Sequence, residues 1–489
     1  MRRGEHKKGD ALINRCFQSL RNKEKEEDSV LHKEVFRSNG ERVVVFEYTL
    51  ILRFLHDNGY RNYNGELISL VDNVATVVDK EKIFKFLLEF IQSFNDDVLT
   101  NAFFKQGESL ILKNRGLIHG IKDLEKEPLT DSAKVGYVSY DNGVVKIDKN
   151  AIKLLKYSEI EGFVWEEQII RRKFKFIIDY DSNINVYDRC LRNSTNNENH
   201  FLSVVSAIGN LIHKHKDQRL TKAIIINDQN LNEKDEEGGS GKGLIVKAVS
   251  KIRQTLVING KNADPSKNRF FLQGVTLRTC LISIDDPPRN VVFEDYFSFL
   301  TDEMTVEKKH QASIVIPYKD SPKFSFTTNY SIKGNSSSHK RRRFDIFLND
   351  YYSSEHKPTD DFGHEFFYDW DGEEWGKFDY FMVKCLQTFI KNGLILYSNS
   401  ELKLKKFKNE TSSDFYELME AEYRNERKHS LPNLREKLIS TYGTKYEFLH
   451  RETARLKDWV GKYSEYNGFD LEYERANFGM WFKFKINKK

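Results

Sequence analysis

A chain of 489 residues is too long for one core of ordinary size, and its 39% hydrophobic and 13% aromatic residues supply several cores, which excludes a disordered chain. The 78 Lys and Arg barely exceed the 73 Asp and Glu, so a formal charge of +5 carries no global signature of a polyanionic partner. Cys16, Cys190, Cys280 and Cys385 stand far apart without a CxxC pair, which excludes a zinc cage or disulfide framework, and no apolar run approaches the roughly 20 residues that span a bilayer.

Residues 1–40 read as a polar, charged arm that opens on MRRGEHKK without an apolar segment behind it, so no membrane partner and a cytoplasmic protein are expected. RVVVFEY, from 42, predicts a strand, KEKIFKFLLEFIQ (80–92) has its apolar residues at helical spacing, and VSYDNGVVKID (138–148) predicts a hairpin about an Asn-Gly turn. Together residues 41–195 predict an N-terminal α+β domain, closed by the Asn- and Ser-rich LRNSTNNENH at 191–200.

A helix is predicted for FLSVVSAIGNLIH, and then strands for AIII (223–226), LVI (256–258), RFFL (269–272), TCLISI (279–284) and FSFTT (324–328). Unbroken apolarity in runs this short marks strands buried on both faces, as in a sheet sandwiched by helices. Residues 196–355 are therefore the expected α/β core. Residues 356–429 predict a helical extension, in which Phe378, Phe381, Met382, Cys385, Leu386 and Phe389 form a packing stripe. Over 430–489, a helix (433–442), a helix (450–466) and a strand pair FDLEYE and WFKFKI follow the order of a winged-helix module.

The chemistry concentrates in the core. GGSGKGLIV (238–246) places Gly238, Gly239, Ser240, Gly241, Lys242 and Gly243 ahead of an apolar helical stripe. Converging backbone N–H groups, a helix N-terminus and a lysine are what a polyphosphate needs. A flexible glycine turn capping a helix is the plainer reading of this stretch alone. The match to GxxxxGK[ST] is imperfect, since the first glycine position falls at Glu236 and the Mg²⁺-binding hydroxyl position at Gly243. About 40 residues on, TCLISIDDPP ends a strand in Asp285 and Asp286, a pair suited to Mg²⁺ positioning and water polarisation. KFSFTTNY then ends a strand in Asn329, suited to the γ-phosphate or attacking water, and HKRRR brings Arg341 and Arg342. Four such elements at strand ends in this order point to nucleoside triphosphate hydrolysis.

With FVWEEQIIRRKF (163–174), the TTN at 327–329, the arginine pair before LNDYY and FFYDWDGEEWGKFDYFMVKCLQ (366–387), the sequence resembles superfamily 3 helicases, most closely the helicase part of phage, plasmid and mobile-element primase-helicases. The resemblance implies an α/β, AAA+-like P-loop ATPase core, between the α+β N-terminal region and the C-terminal helical and winged-helix region, acting in a bacterial host cell. It implies a homo-hexameric ring on single-stranded or forked DNA, with ATP and Mg²⁺ bound between subunits. Carried over, Lys242 would hold the β- and γ-phosphates, Asp285 would coordinate Mg²⁺, Asp286 would orient the attacking water, Asn329 would be the sensor and one of Arg341 and Arg342 would reach a neighbour's ATP. The family's DNA-gripping hairpin would correspond to VEKKHQASIVIPYKDSPK (306–323), with Lys308, Lys309, His310 and Lys319. Lacking a hydroxyl at 243, the Mg²⁺ would lose one ligand, so slow turnover is expected. No paired-carboxylate constellation for priming stands in the N-terminal region, so priming is expected either to be absent or to come from a partner, a separate primase or polymerase. Two readings compete: a ring ATPase that remodels nucleoprotein in defence or transposition without unwinding, and a nucleotide-regulated initiator whose winged helix supplies the DNA affinity.

Overall fold

The computed structural model of the chain describes residues 31–36, 42–114, 116–180, 184–229, 241–330, 332, 334, 336–397, 403–404, 407–408, 410–476 and 479–486. The chain divides into two units, Met1–Phe174 and Lys175–Lys489. Most of the charged arm expected over 1–40 lies outside the described residues; its residues His32–Phe36 form a strand.

The first unit contains the hairpin β1 (His32–Phe36) and β2 (Arg42–Phe46), then α1 (Tyr48–Asp57), β3 (Tyr60–Tyr63), β4 (Glu66–Val71), β5 (Val74–Val77), α2 (Lys80–Gln92) and α3 (Asp97–Gly107). The side chains of Asp79 and Asp96 start α2 and α3 by accepting the N–H groups of Lys82 and Leu99. Ile83, Phe86, Leu87, Phe90 and Ile91 recur at helical spacing on α2 and are buried with Phe54, Leu55 and Phe103. After β6 (Val135–Tyr140), β7 (Gly143–Asp148) and β8 (Ile152–Leu155), the short β9 (Val164–Trp165) closes a sheet of order β3-β4-β5-β9. The hairpin turn is Asp141–Asn142 rather than Asn-Gly. Gly143 opens the second strand at a φ of 141°, and a Cβ there would lie 2.3 Å from the Leu155 carbonyl oxygen, so the glycine serves the close approach of β8.

In the second unit, α4 (Val186–Asn193) and α5 (Glu198–Ile212) precede β10 (Ala223–Asp228), α6 (Lys242–Ser250), β11 (Thr255–Asn259), β12 (Leu281–Asp285), β13 (Met304–Val306), β14 (Ile314–Ile316), β15 (Lys323–Thr328), α7 (Ser337–Arg342) and β16 (Arg343–Leu348). Five of these strands form one sheet of order β11-β12-β15-β10-β16, parallel throughout. Every residue of β10 is buried, as unbroken apolarity demands of a central strand. RFFL at 269–272 is not a strand. Phe271 and Leu272 are buried from a run of turns that carries the chain from the end of β11 to the start of β12, fixed by side-chain bonds from Asp264 and Thr279 to nearby N–H groups. β16 went unread because its polar Arg343 and Asp345 interrupt the apolar run; it pairs with β10 at the sheet edge.

Helix α8 (Gly372–Asn392), started by Asp371, buries all six residues of the stripe expected there. It packs on α5 closely enough that a Cβ at Gly209 would stand 2.1 Å from the Cys385 carbonyl oxygen. Gly209 is thus a contact point between two helix backbones. Beyond a helix at Ser413–Leu418 come β17 (Lys428–Ser430), α9 (Leu431–Tyr442), a 3-10 turn (Thr444–His450), α10 (Thr453–Asn467), β18 (Asp470–Ala476) and β19 (Gly479–Lys485). The three strands pair in the order β17-β19-β18, and Leu456, Trp459, Val460 and Tyr463 of α10 are buried with Leu434, Leu438, Phe482 and Phe484. Among the described residues no helix is long and apolar enough to cross a membrane.

Candidate active site

Because all five strands of the large sheet run the same way, their carboxyl ends share one edge, where open α/β sheets form binding crevices. Lys242 reaches this edge as the first residue of α6. Gly241 before it adopts a left-handed φ of 93°, which a side chain would oppose. Gly238, Gly239 and Ser240 lie outside the described residues. The Lys242 ammonium forms an ion pair with Asp228, the last residue of β10, and the two side chains are only 11% and 12% exposed.

Asp285 ends β12 and accepts a 2.5 Å hydrogen bond from the Thr327 hydroxyl on the neighbouring β15. Asp286 has a left-handed φ of 51°, held by a 3.0 Å bond from its N–H to the Thr327 carbonyl. Aspartate tolerates that conformation better than most residues, and here it turns the chain at the strand tip so that both carboxylates face solvent. Asn329 follows β15, and its buried Oδ1 accepts no hydrogen bond from the described residues. The order of strands matters: β15 lies between β10 and β12, so Asn329 stands between the lysine's strand and the acids' strand.

Lys242, Gly243, Asp285, Asp286 and Asn329 line one cleft of about 830 Å³, within the range of small-molecule sites. Its far wall is Ser354, Lys357, Pro358, Thr359, Glu365 and Phe366, from the segment after β16. That wall is fastened by Asp361, which accepts from the Tyr352 hydroxyl at 2.8 Å and pairs with His356 Nε2 at 2.9 Å; this hydrogen bond holds the imidazole above its ordinary pKa. Lys247 lies over the Tyr368 ring, 4.5 Å from its centroid. The cleft thus sets cations (Lys242, Lys247, Lys357) beside carboxylates, which suits a polyanion arriving with a divalent cation. Among the described residues no three His, Cys, Asp or Glu side chains are grouped to hold a metal by themselves, so a Mg²⁺ here would draw on phosphate oxygens and water as well as on Asp285. Asp228, Thr327 and Lys357 escaped the sequence reading. Asp228 was legible as a carboxylate ending the strand before the phosphate loop; Lys357 carried no local signal.

Arg341 and Arg342 are elsewhere. They end α7, immediately before β16, whose first residue Arg343 is opposite Ala223 at the start of β10. That puts them roughly 17 Å, one six-residue strand, from the carboxyl edge. Within one chain they do not join the cleft. Arg343 is buried, donates to the Ile332 and Gly334 carbonyls and pairs with Asp345 at 3.1 Å. Arg342 packs 4.4 Å over the Phe297 ring. Arg341 is exposed.

The expected hairpin is shorter than read: β13 and β14 pair over three residues each, and Glu307–Ser313 form its tip. Lys309 and His310 are exposed there and Lys308 half-buried, whereas Lys319 lies off the hairpin, in the 3-10 turn Tyr318–Asp320. Beside that turn, Lys216 donates to Ser321 Oγ at 2.8 Å and lies over the Tyr318 ring at 4.5 Å. Burial without a carboxylate lowers its pKa from 10.5 to about 8. Between those two values the unfolded chain binds more protons than the folded one, so this lysine's penalty is full below about pH 8 and fades as the pH rises towards 10.5. Denaturant unfolding of wild type and Lys216→Met should therefore differ most near pH 7, by about 1–3 kcal/mol in favour of Met, and converge near pH 10.

No protein-family model matches the sequence, and no curated protein matches it. Among solved structures, "The A form apo structure of NrS-1 C terminal region-CTR" aligns over 90% of this chain and 100% of its own at 11% identity, with a TM-score of 0.39. "Structure of Drosophila ORC bound to DNA" aligns over 65% of this chain and 93% of its own at 11% identity, with a TM-score of 0.18. At such TM-scores the likeness fixes neither fold nor function for this chain.

Proposed function

We propose that the chain is an ATPase with an AAA+-like core that drives a DNA helicase or translocase of superfamily 3 type, working as a ring of copies on single-stranded or forked DNA. The observation that carries this reading is the convergence of Lys242, Asp285, Asp286 and Asn329, remote in sequence, on one cleft at the carboxyl edge of a parallel sheet. The interposed strand β15 favours it further, because a polar tip between the lysine and the acids meets the terminal phosphate from the side.

In this mechanism Lys242 leaves Asp228 to bind the β- and γ-phosphates, with the N-terminal N–H groups of α6 beside it. Asp285, oriented by Thr327, would hold the metal, and Asp286 would accept a proton from the attacking water or orient it. Asn329 donates to the γ-phosphate or the water. Bound Mg²⁺ supplies charge neutralisation across the phosphates. Arg341, exposed at the opposite edge, acts on the cleft of the next copy. Lys308, Lys309 and His310 offer backbone contacts to DNA from the hairpin tip, with the salt sensitivity that phosphate contacts bring.

In the C-terminal module Lys428, Lys437, Arg455 and Lys485 are paired with Glu474, Glu422, Glu452 and Glu472. The test is Mg²⁺-ATP hydrolysis with and without single-stranded DNA, together with strand displacement on a fork. Stimulated hydrolysis with displacement is expected; hydrolysis that never displaces a strand would favour the nucleoprotein remodeller.

A further inference from the structure

Gly243 leaves the cleft without a hydroxyl one residue after the lysine, and the space there is open: a Cβ at 243 would meet nothing within 4 Å. Beside Lys242 stands a carboxylate. Asp228 is 9% exposed and gives one carboxylate oxygen to the Lys242 ammonium. Its other oxygen, Oδ1, is buried and accepts no hydrogen bond from the described residues. A buried carboxylate oxygen without a donor is costly, and it persists where a ligand or ion completes it. Asp285, for its part, already spends one oxygen on the Thr327 hydroxyl.

A carboxylate beside a triphosphate site is also an electrostatic problem. Once Lys242 moves to the phosphates, Asp228 would face them bare, and like charges at that range oppose binding unless a cation lies between. A divalent ion resolves both difficulties.

On the ATPase reading above, we propose that Asp228 is a metal-facing carboxylate of this cleft. Without nucleotide it stores the lysine; with nucleotide it contributes an oxygen to the shell of the divalent cation, the contribution Gly243 has no hydroxyl to make. Magnesium is commonly held by one or two carboxylates plus phosphates and water, so a second carboxylate fits its shell.

The test is equilibrium binding of a fluorescent ATP analogue, N-methylanthraniloyl-ATP, to the full chain in Mg²⁺ and in EDTA, for wild type, Asp228→Asn, and Asp228→Asn combined with Gly243→Ser. Wild type is expected to bind more tightly in Mg²⁺ than in EDTA. In Asp228→Asn the gain from Mg²⁺ should shrink about tenfold, the scale on which groups tuning a metal site act. Its affinity in EDTA should rise, because a negative charge is gone and Lys242 is released; that arm also reports that the variant is folded. Adding Gly243→Ser should restore much of the Mg²⁺ gain. An undiminished Mg²⁺ gain in Asp228→Asn, or an equal loss of affinity in Mg²⁺ and EDTA, would overturn the proposal, the latter showing a carboxylate that only holds the lysine. A wild type that binds nucleotide in neither condition would overturn the ATPase reading itself.

Discussion

Lys242→Ala is expected to lose ATP hydrolysis by a factor on the order of 10²–10³ or more, the scale set by removing one preorganised group that stabilises charge in a transition state. Two physical effects add. The ammonium that would neutralise the β- and γ-phosphates is gone, and Asp228, 12% exposed at its side chain, is left without its partner at the edge of the same cleft. The abandoned carboxylate repels the triphosphate, so binding should weaken along with turnover. Combining Lys242→Ala with Asp228→Asn separates the two: binding in EDTA should recover part of its loss while hydrolysis stays at background. Lys242→Arg keeps the charge but replaces a compact ammonium with a planar fork, and it should bind nucleotide yet hydrolyse poorly. Steady-state phosphate release and analogue titration read these outcomes. Full activity in Lys242→Ala would remove the basis for every role assigned in the cleft.

The parts of this architecture that the sequence displayed are those where one physical demand acts on a local window. β10, β12 and β15 declare themselves because a strand covered on both faces is rich in apolar residues, and α2 and α8 because a half-buried helix repeats its apolar positions at helical spacing. RFFL misled for the same reason: Phe271 and Leu272 are apolar because they are buried, and burial alone does not distinguish a strand from turns folded onto a core. β16 stayed hidden because Arg343 and Asp345 interrupt its apolar run; two residues apart on one strand, they share a face and pair with each other there. In the cleft, Lys242, Asp285, Asp286 and Asn329 were legible since each ends or directly follows a strand or begins a helix. The wall from Ser354 to Phe366 was not, because it returns to the cleft through the Asp361 network, whose partners at 193, 352 and 356 have no common spacing.

Arg341→Ala should lower Mg²⁺-dependent hydrolysis by a factor on the order of 10³ while leaving nucleotide binding nearly intact, and its defect should be repairable by another chain. The three adjacent arginines are not equivalent. Arg343 is committed to two carbonyls and Asp345, so its loss should destabilise the sheet edge, and Arg342 is spent on Phe297. Arg341 alone of the three is exposed, on a helix whose preceding residue Lys340 is tied to Glu465 of α10 and whose His339 is seated against Ser336 and Glu294. Those contacts anchor the helix without using the Arg341 guanidinium. A strand length separates it from its own cleft, so an arginine finger at this position must act on the cleft of another copy, and that reading makes a quantitative demand. When Arg341→Ala and Lys242→Ala chains, each inactive, are mixed in equal amounts and allowed to exchange, about a quarter of head-to-tail interfaces pair an intact cleft with an intact arginine. Hydrolysis should therefore return to about a quarter of the wild-type rate per chain in the mixture, at concentrations where rings form. A finger acting within its own chain would return nothing on mixing, because every chain would carry one lesion of its own. Arg341→Lys should also fail alone and be rescued in the same mixture, since the planar fork rather than the charge is what a transferring phosphoryl group requires.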